Sequence, residues 1–222
     1  MLGNLSQFVS PSIEQLLSKL QADEDNYELE LRTLGREKLV LPVQLTTPDG
    51  EFELHAFSRN VSQGGIGLIA PQPFSPNSVM RLTLNMRTGK TIHVVECRWC
   101  ETFGQTYWTS GWELKSKALD VQTVLNAEAV FDSEVRSSER EKYAIPVVVH
   151  QPGERPKVHA FTRNMSGDGV NLVANKPVCC NEKCTLEFVR NDGERSGIVA
   201  ECIWLQEYGA DCWMSGWQFS SE

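Results

Sequence analysis

Arg32 and Arg36 stand four residues apart, and 24 positions beyond Arg36 the chain reads Asn60-Val61-Ser62-Gln63-Gly64-Gly65, with Arg59 just before it. The set returns as Arg136, Arg140 and Arg163-Asn164-Met165-Ser166-Gly167-Asp168-Gly169, with Arg140 and Asn164 again 24 apart. A guanidinium carries five N–H donors in a planar fork that fits anionic oxygens in pairs, and an asparagine amide presents a donor beside an acceptor. An arginine just before each motif and a basic cluster upstream raise the stake. Asn-x-Ser-x-x-Gly also has a plainer use, because Asn and Ser bond nearby backbone and Gly relieves a sharp turn. One copy alone would read as a β-turn; two copies behind matched arginines favour a site.

The duplication extends far beyond these residues. Arg36-Glu37-Lys38, Pro42-Val43 and His55-Ala56-Phe57 recur 104 positions later, and Glu96-Cys97, Trp99, Trp108 and Ser110-Gly111-Trp112 recur 105 later, as one residue inserted in a loop produces. The chain is a tandem repeat of a unit of about a hundred residues, too few copies for a solenoid. Its 222 residues fit two compact domains, each able to bury one modest core.

Ser10-Pro11 supplies a helix start, and Ile13, Leu16, Leu17 and Leu20 follow at helical spacing. Asp120 can cap a weaker stripe of Val121, Val124, Leu125 and Ala129. After each helix the period drops to two. Val43 and Leu45, then Phe52, Leu54 and Ala56, then Met80, Leu82, Leu84 and Met86 alternate with mostly polar residues, and Pro48-Asp49-Gly50 supplies a turn. Val95, Cys97 and Trp99, and then Trp108, Ser110, Trp112 and Leu114, add two more faces. The expected fold is mainly β: two small antiparallel barrels of about six strands, each preceded by a short helix. The expected boundaries are an N-terminal amphipathic helix in 1–31, a first barrel in 32–117, a linking helix in 118–135 and a second barrel in 136–222.

These residues resemble the PilZ domain, a family that binds the bacterial second messenger cyclic di-GMP (c-di-GMP). The family pattern is Arg-x-x-x-Arg followed, some 20 to 30 residues on, by Asp/Asn-x-Ser-x-x-Gly on the barrel. Both elements are present twice and in order, and Gly111-Trp112-Glu113-Leu114 and Gly216-Trp217-Gln218-Phe219 look like the family's final strand. The resemblance implies one site of Arg32, Arg36, Asn60, Ser62 and Gly65 and another of Arg136, Arg140, Asn164, Ser166 and Gly169, with Arg59 and Arg163 at the preceding positions. Arginine forks would take guanine O6 and N7 or the phosphodiesters, and Asn60 a further guanine edge. In many members the second arginine lies about three residues before the first strand's valine. In that register Val40 and Ala144 occupy its place, and Arg36 and Arg140 become the first arginine of each motif.

Other chemistry is weaker. Cys97-x-x-Cys100 has the spacing of half a zinc site, but the repeat replaces Cys100 by Leu205, so core packing is expected. Nothing around Cys179-Cys180 lowers a thiol pKa. His55 and His159 repeat without a nucleophile or metal partner and are expected at a barrel surface or rim. The six tryptophans are expected mostly in the cores rather than stacked on bases, and Asp23-Glu24-Asp25 in solvated chain.

A net charge of −8 disfavours duplex binding while allowing a small phosphate ligand in a locally basic pocket. Seven cysteines, an odd number, and a start with no basic, long-apolar leader predict reduced thiols and a cytoplasmic protein, and no apolar run is long enough to span a bilayer. The expected function is a non-enzymatic c-di-GMP sensor acting by domain rearrangement on a protein partner, with no cofactor beyond the regulatory ligand. The rival is an interaction scaffold whose barrels no longer bind nucleotide. The partner's identity, and whether copies pair as a homodimer, stay open.

Overall fold

The structure, a computed structural model, describes residues 13, 15–19, 35–86, 89–132, 142–208 and 212–220. The chain forms two closed six-stranded antiparallel barrels. In the first, β2 (Pro42–Thr46), β3 (Glu53–Val61), β4 (Gly65–Ala70), β5 (Val79–Met86), β6 (Gly89–Phe103) and β7 (Tyr107–Leu114) run in the spatial order β3-β2-β5-β6-β7-β4, and β3–β4 pairing closes the ring. A two-residue strand, β1 (Glu37–Lys38), lies on the far end of β3. In the second, β8 (Pro146–His150), β9 (Val158–Met165), β10 (Gly169–Ala174), β11 (Lys183–Val189), β12 (Arg195–Glu207) and β13 (Trp213–Phe219) repeat the order. Among the described residues two helices complete the fold: helical residues 13 and 15–19 (α1), and α2 (Val121–Asp132).

Period-two alternation turns Val43, Leu45, Leu82, Leu84, Val95, Cys97 and Trp112 inward, as the pleat requires. The repeated Ser-Gly-Trp phrase has a packing explanation. Trp112 and Trp217 fill the barrel interiors and their indole N–H groups donate to Ser110 and Ser215 Oγ at 2.9 Å. Gly111 and Gly216 exist because Trp99 and Trp204 lie across them: a Cβ would come within 2.1 and 2.0 Å of the indole nitrogens. Trp112 and Trp217 are therefore the core tryptophans, whereas Trp99 and Trp204 cover neighbouring strands and stay half-buried.

β4 and β10 are buried at every residue. Ile66 and Leu68 face the first interior, while Ile69 on the opposite face meets a seam between the barrels. That seam is made by matching positions of the two repeats: Val40 and Ala144, Phe57 and Phe161, Ile69 and Val173, Phe103 and Tyr208, Tyr107 and Cys212, all in one continuous buried cluster. Phe57 and Phe161 stack on each other with ring centroids 4.5 Å apart, and Tyr107 meets Phe161 edge-on at 5.4 Å. Patches from equivalent positions meet each other, as the two patches of an isologous dimer do, here within one chain.

The helices do not stay with the repeats they precede. Leu16 is fully buried in the second barrel's core cluster, with Ile13 and Leu17 packed against it, and Lys19 pairs with Glu194 at 2.9 Å. Val124, with Val121 and Leu125, packs against the first. Asp120 caps α2, accepting from the Thr123 N–H at 3.1 Å.

At the seam, Tyr107 Oη and His159 Nδ1 are 2.7 Å apart. Burial above all, then Lys157 and Arg195, hold the His159 pKa below its ordinary 6.5, while burial pushes the Tyr107 hydroxyl up to about 12. Near neutral pH, Tyr107 thus donates to a neutral imidazole.

Two predictions follow from this packing. Leu16→Ala should destabilise the protein by about 2–5 kcal/mol, and hydrogen exchange should quicken in β8–β13 while β2–β7 stay protected. Because the His159 pKa is lower folded than unfolded, the unfolded chain takes up the proton first, so this contribution is complete above about 6.5 and is lost as pH falls below it. The melting temperature should fall between pH 7 and pH 5 by more in the wild type than in His159→Gln.

Candidate functional site

Three hydrogen bonds place the arginine segment on the first barrel. Ser58 Oγ donates to the Leu39 carbonyl at 2.6 Å and accepts from the Leu41 N–H at 2.9 Å, while the Leu39 N–H donates to the Arg59 carbonyl at 3.2 Å. The second repeat ties down its own segment with Thr162, whose hydroxyl donates to the Tyr143 carbonyl and accepts from the Ile145 N–H. β1 then pairs Lys38 with Asn60, which brings Arg36 over the motif. Arg36 Nη1 donates to Asn60 Oδ1 at 2.8 Å in a half-buried contact.

Both motif strands carry a register shift, between Ser58 and Asn60 and again between Thr162 and Asn164 in the pairing with β10. The residue set out of register is Arg59 in one repeat and Arg163 in the other, and a bulge re-aims a side chain. Arg59 turns to Thr109, 3.4 Å from its Oγ1, and lies 5.7 Å over the Phe103 ring. Arg163 is buried against Met214, 3.8 Å from the sulfur. Both therefore lie toward the seam rather than beside the Arg36–Asn60 pair.

Ser62 and Ser166 close their turns, with the backbone N–H donating to the Gly65 and Gly169 carbonyls at 2.8 and 2.9 Å and the hydroxyls reaching the same atoms. Gly65 and Gly169 are not positive-φ residues. They are required because a Cβ would come within 2.8 Å of the Trp112 carbonyl oxygen and 2.1 Å of that of Trp217. The sharp-turn reading of these glycines gives way to close contact with the last strand of each barrel.

One residue that sequence reasoning passed over separates the two sites. Gly67, opposite Asn60 in the ladder, leaves the room that the Asn60 amide occupies, since a Cβ there would lie 2.6 Å from Oδ1. Its counterpart is Asn171, directly opposite Asn164, and both side chains are buried. The first site thus presents a half-buried amide and guanidinium, whereas the amides at the matching place in the second repeat are buried. The available signal was Gly65-x-Gly67, two glycines on alternate strand positions, against Gly169-x-Asn171. Arg32, Arg136 and Arg140 lie outside the described residues.

The chemistry of the first site is recognition by a donor fork and an amide. The buried thiols are poor nucleophiles, because burial pushes Cys97 up to about 11 and Cys184 and Cys212 up to about 12. Among the described residues no group of His, Cys, Asp or Glu is arranged to hold a metal ion, and no helix is long and apolar enough to cross a membrane.

Comparison with known proteins gives one family. The PilZ domain model matches residues 30–123, the span of the first barrel with its arginine segment. Among solved structures, Borreliella burgdorferi PlzA in complex with c-di-GMP is similar at 11% identity, covering 92% of this chain and 93% of that one, with a TM-score of 0.33. Escherichia coli YcgR in complex with c-di-GMP is similar at 10% identity, with coverages of 96% and 88% and a TM-score of 0.34. The Bacillus subtilis inhibitor of motility, MotI/DgrA, is similar at 10% identity, with coverages of 83% and 89% and a TM-score of 0.32. Among curated proteins nothing matches the chain.

Gly169→Ala is expected to destabilise the second barrel by about 3 kcal/mol, the upper end for overpacking, because the obstructing atom is backbone and cannot turn aside. Urea denaturation of the variant against wild type measures it.

Proposed function

We propose that this chain, whose residues 30–123 match the PilZ domain, is a PilZ-type c-di-GMP receptor whose first barrel holds the ligand. The observation that carries this reading is the Arg36–Asn60 pair over Gly67, half-buried in the first repeat, where in the second repeat Asn164 and the Asn171 opposite it are both buried. Arg36 supplies a fork for guanine O6 and N7 or a phosphodiester, and Asn60 supplies an amide for a second edge. Arg32 adds a further cation on the same segment. The protein is a non-enzymatic regulator that passes the signal, inside the cell, to a protein partner.

The route of the signal is short. Val40, four residues after Arg36, is buried in the seam, and Leu39 and Leu41 are tied to Ser58. A ligand that pulls on Arg36 acts on a segment already wedged between the barrels, and it can shift their arrangement only by binding one arrangement better.

The scaffold reading has its own observation in the second repeat, where Arg163 and Asn164 are buried. We assign the second barrel to support and partner contact.

Calorimetry with c-di-GMP, with GMP as control, tests both assignments. One site per chain is expected. Arg36→Ala and Gly67→Asn should each weaken binding at least about tenfold, the loss of one charged hydrogen bond of roughly 1.5–3 kcal/mol. Arg140→Ala should leave it unchanged. Two sites per chain, or heat that survives Gly67→Asn, would contradict the assignment; no heat at all would leave the scaffold as the function of both barrels.

A further inference from the structure

The outward faces of β5 and β6 in the first barrel and of β11 and β12 in the second are built from equivalent positions, and they have diverged in opposite senses. On the first barrel Val79, Ile92 and Val94 are 44%, 63% and 43% exposed, an apolar surface on adjacent strands. Arg81 stands within it, and Glu53 lies one strand further, across Thr46 of β2 from Arg81, with Glu51 on the preceding turn. On the second barrel Arg155 and Lys157 replace the two glutamates, Lys183 replaces Val79, and Gly197 replaces Ile92. The result is a hollow of about 430 Å³ whose lining includes these four residues.

The hollow exists because Gly197 has no side chain: a Cβ there would meet only Thr185 Cγ2, at 3.4 Å. Its floor carries Glu187, held by Arg195 at 2.6 Å and by His150 at 3.1 Å. On its rim Arg155 pairs with Glu182, whereas Lys157 and Lys183 have no ion-pair partner among the described residues. One face is thus apolar, with the carboxylates of Glu51 and Glu53 on the β2 side and the pairs of Glu96 with Arg98 and Lys115 on the other, and the second is a hollow with Lys157 and Lys183 on its rim. Both remain open in the single chain, because the seam uses other strands' outward residues, namely Phe57, Ile69, Tyr107 and their counterparts.

We propose that the apolar face of the first barrel docks into the basic hollow of the second barrel of another copy, head to tail. Ile92 enters the space over Gly197, Glu51 and Glu53 meet Lys157 and Lys183, and Arg81 supplies the counter-charge to Glu187. The contact is heterologous, so each molecule carries one donor face and one acceptor face. Attraction between exposed charges at the rim makes it salt-sensitive.

Light scattering coupled to size exclusion on the full chain tests this. The expected mass rises with concentration and falls with added salt. Ile92→Glu, and separately Lys157→Glu with Lys183→Glu, should each give monomers of unchanged circular dichroism, since all three positions are on the surface. An equimolar mixture of the two variants should form dimers and nothing larger, because each retains the face the other lacks. A wild type that stays monomeric, association that survives either variant, or a mixture that stays monomeric would overturn the proposal, the first of these leaving the two faces to partners of another kind.

Discussion

Each barrel has more apolar surface than its own interior can bury, and that constraint shapes the rest of the molecule. Phe57, Ile69, Phe103 and Tyr107 are large apolar groups on the outside of a small barrel, and their counterparts in the second repeat are Phe161, Val173, Tyr208 and Cys212. Left in water, such a patch would cost about 25 cal/mol per Å². The two patches cover each other instead. Because they come from equivalent positions, the duplication itself supplies both halves of the seam.

The seam also determines what the motif arginines do. The strands that carry Asn60 and Asn164 bulge where they pass from the seam to the turn, and the bulged Arg59 and Arg163 are carried toward Phe103, Thr109 and Met214. The arginine that stays with the amide is the one delivered from outside the barrel, just before β1. The ties through Ser58 and Thr162 hold Leu39–Leu41 and Tyr143–Ile145 alike in the two repeats. The difference between the sites then rests on one strand position, glycine at 67 and asparagine at 171.

Much of this was legible in the sequence, for physical reasons. Inward and outward sides of barrel strands alternate, so β2, β3, β5, β6 and β7 announced themselves by period two. β4 did not, since a strand covered on both faces has no alternation to show. The pairing of Arg36 with Asn60 agreed with the motif spacing, but the roles of Gly65 and Gly169 did not follow from turn chemistry. They depend on how near β7 and β13 approach, which is a property of the closed ring. The crossing of α1 to the second barrel was equally hidden: an amphipathic stripe says that a face will be covered and not by what.

In a dimer of identical subunits every substitution appears twice, and a residue near the axis must be compatible with its own image. The covalent join here lifts that requirement. Tyr107 finds a histidine on one side of the seam, while its counterpart is the much smaller Cys212. No symmetric pair of chains could hold these two residues at one position. The link also keeps the halves together at any concentration, so specialising one cannot dilute it away from the other. A duplicated barrel is in this respect a dimer whose two members are free to differ.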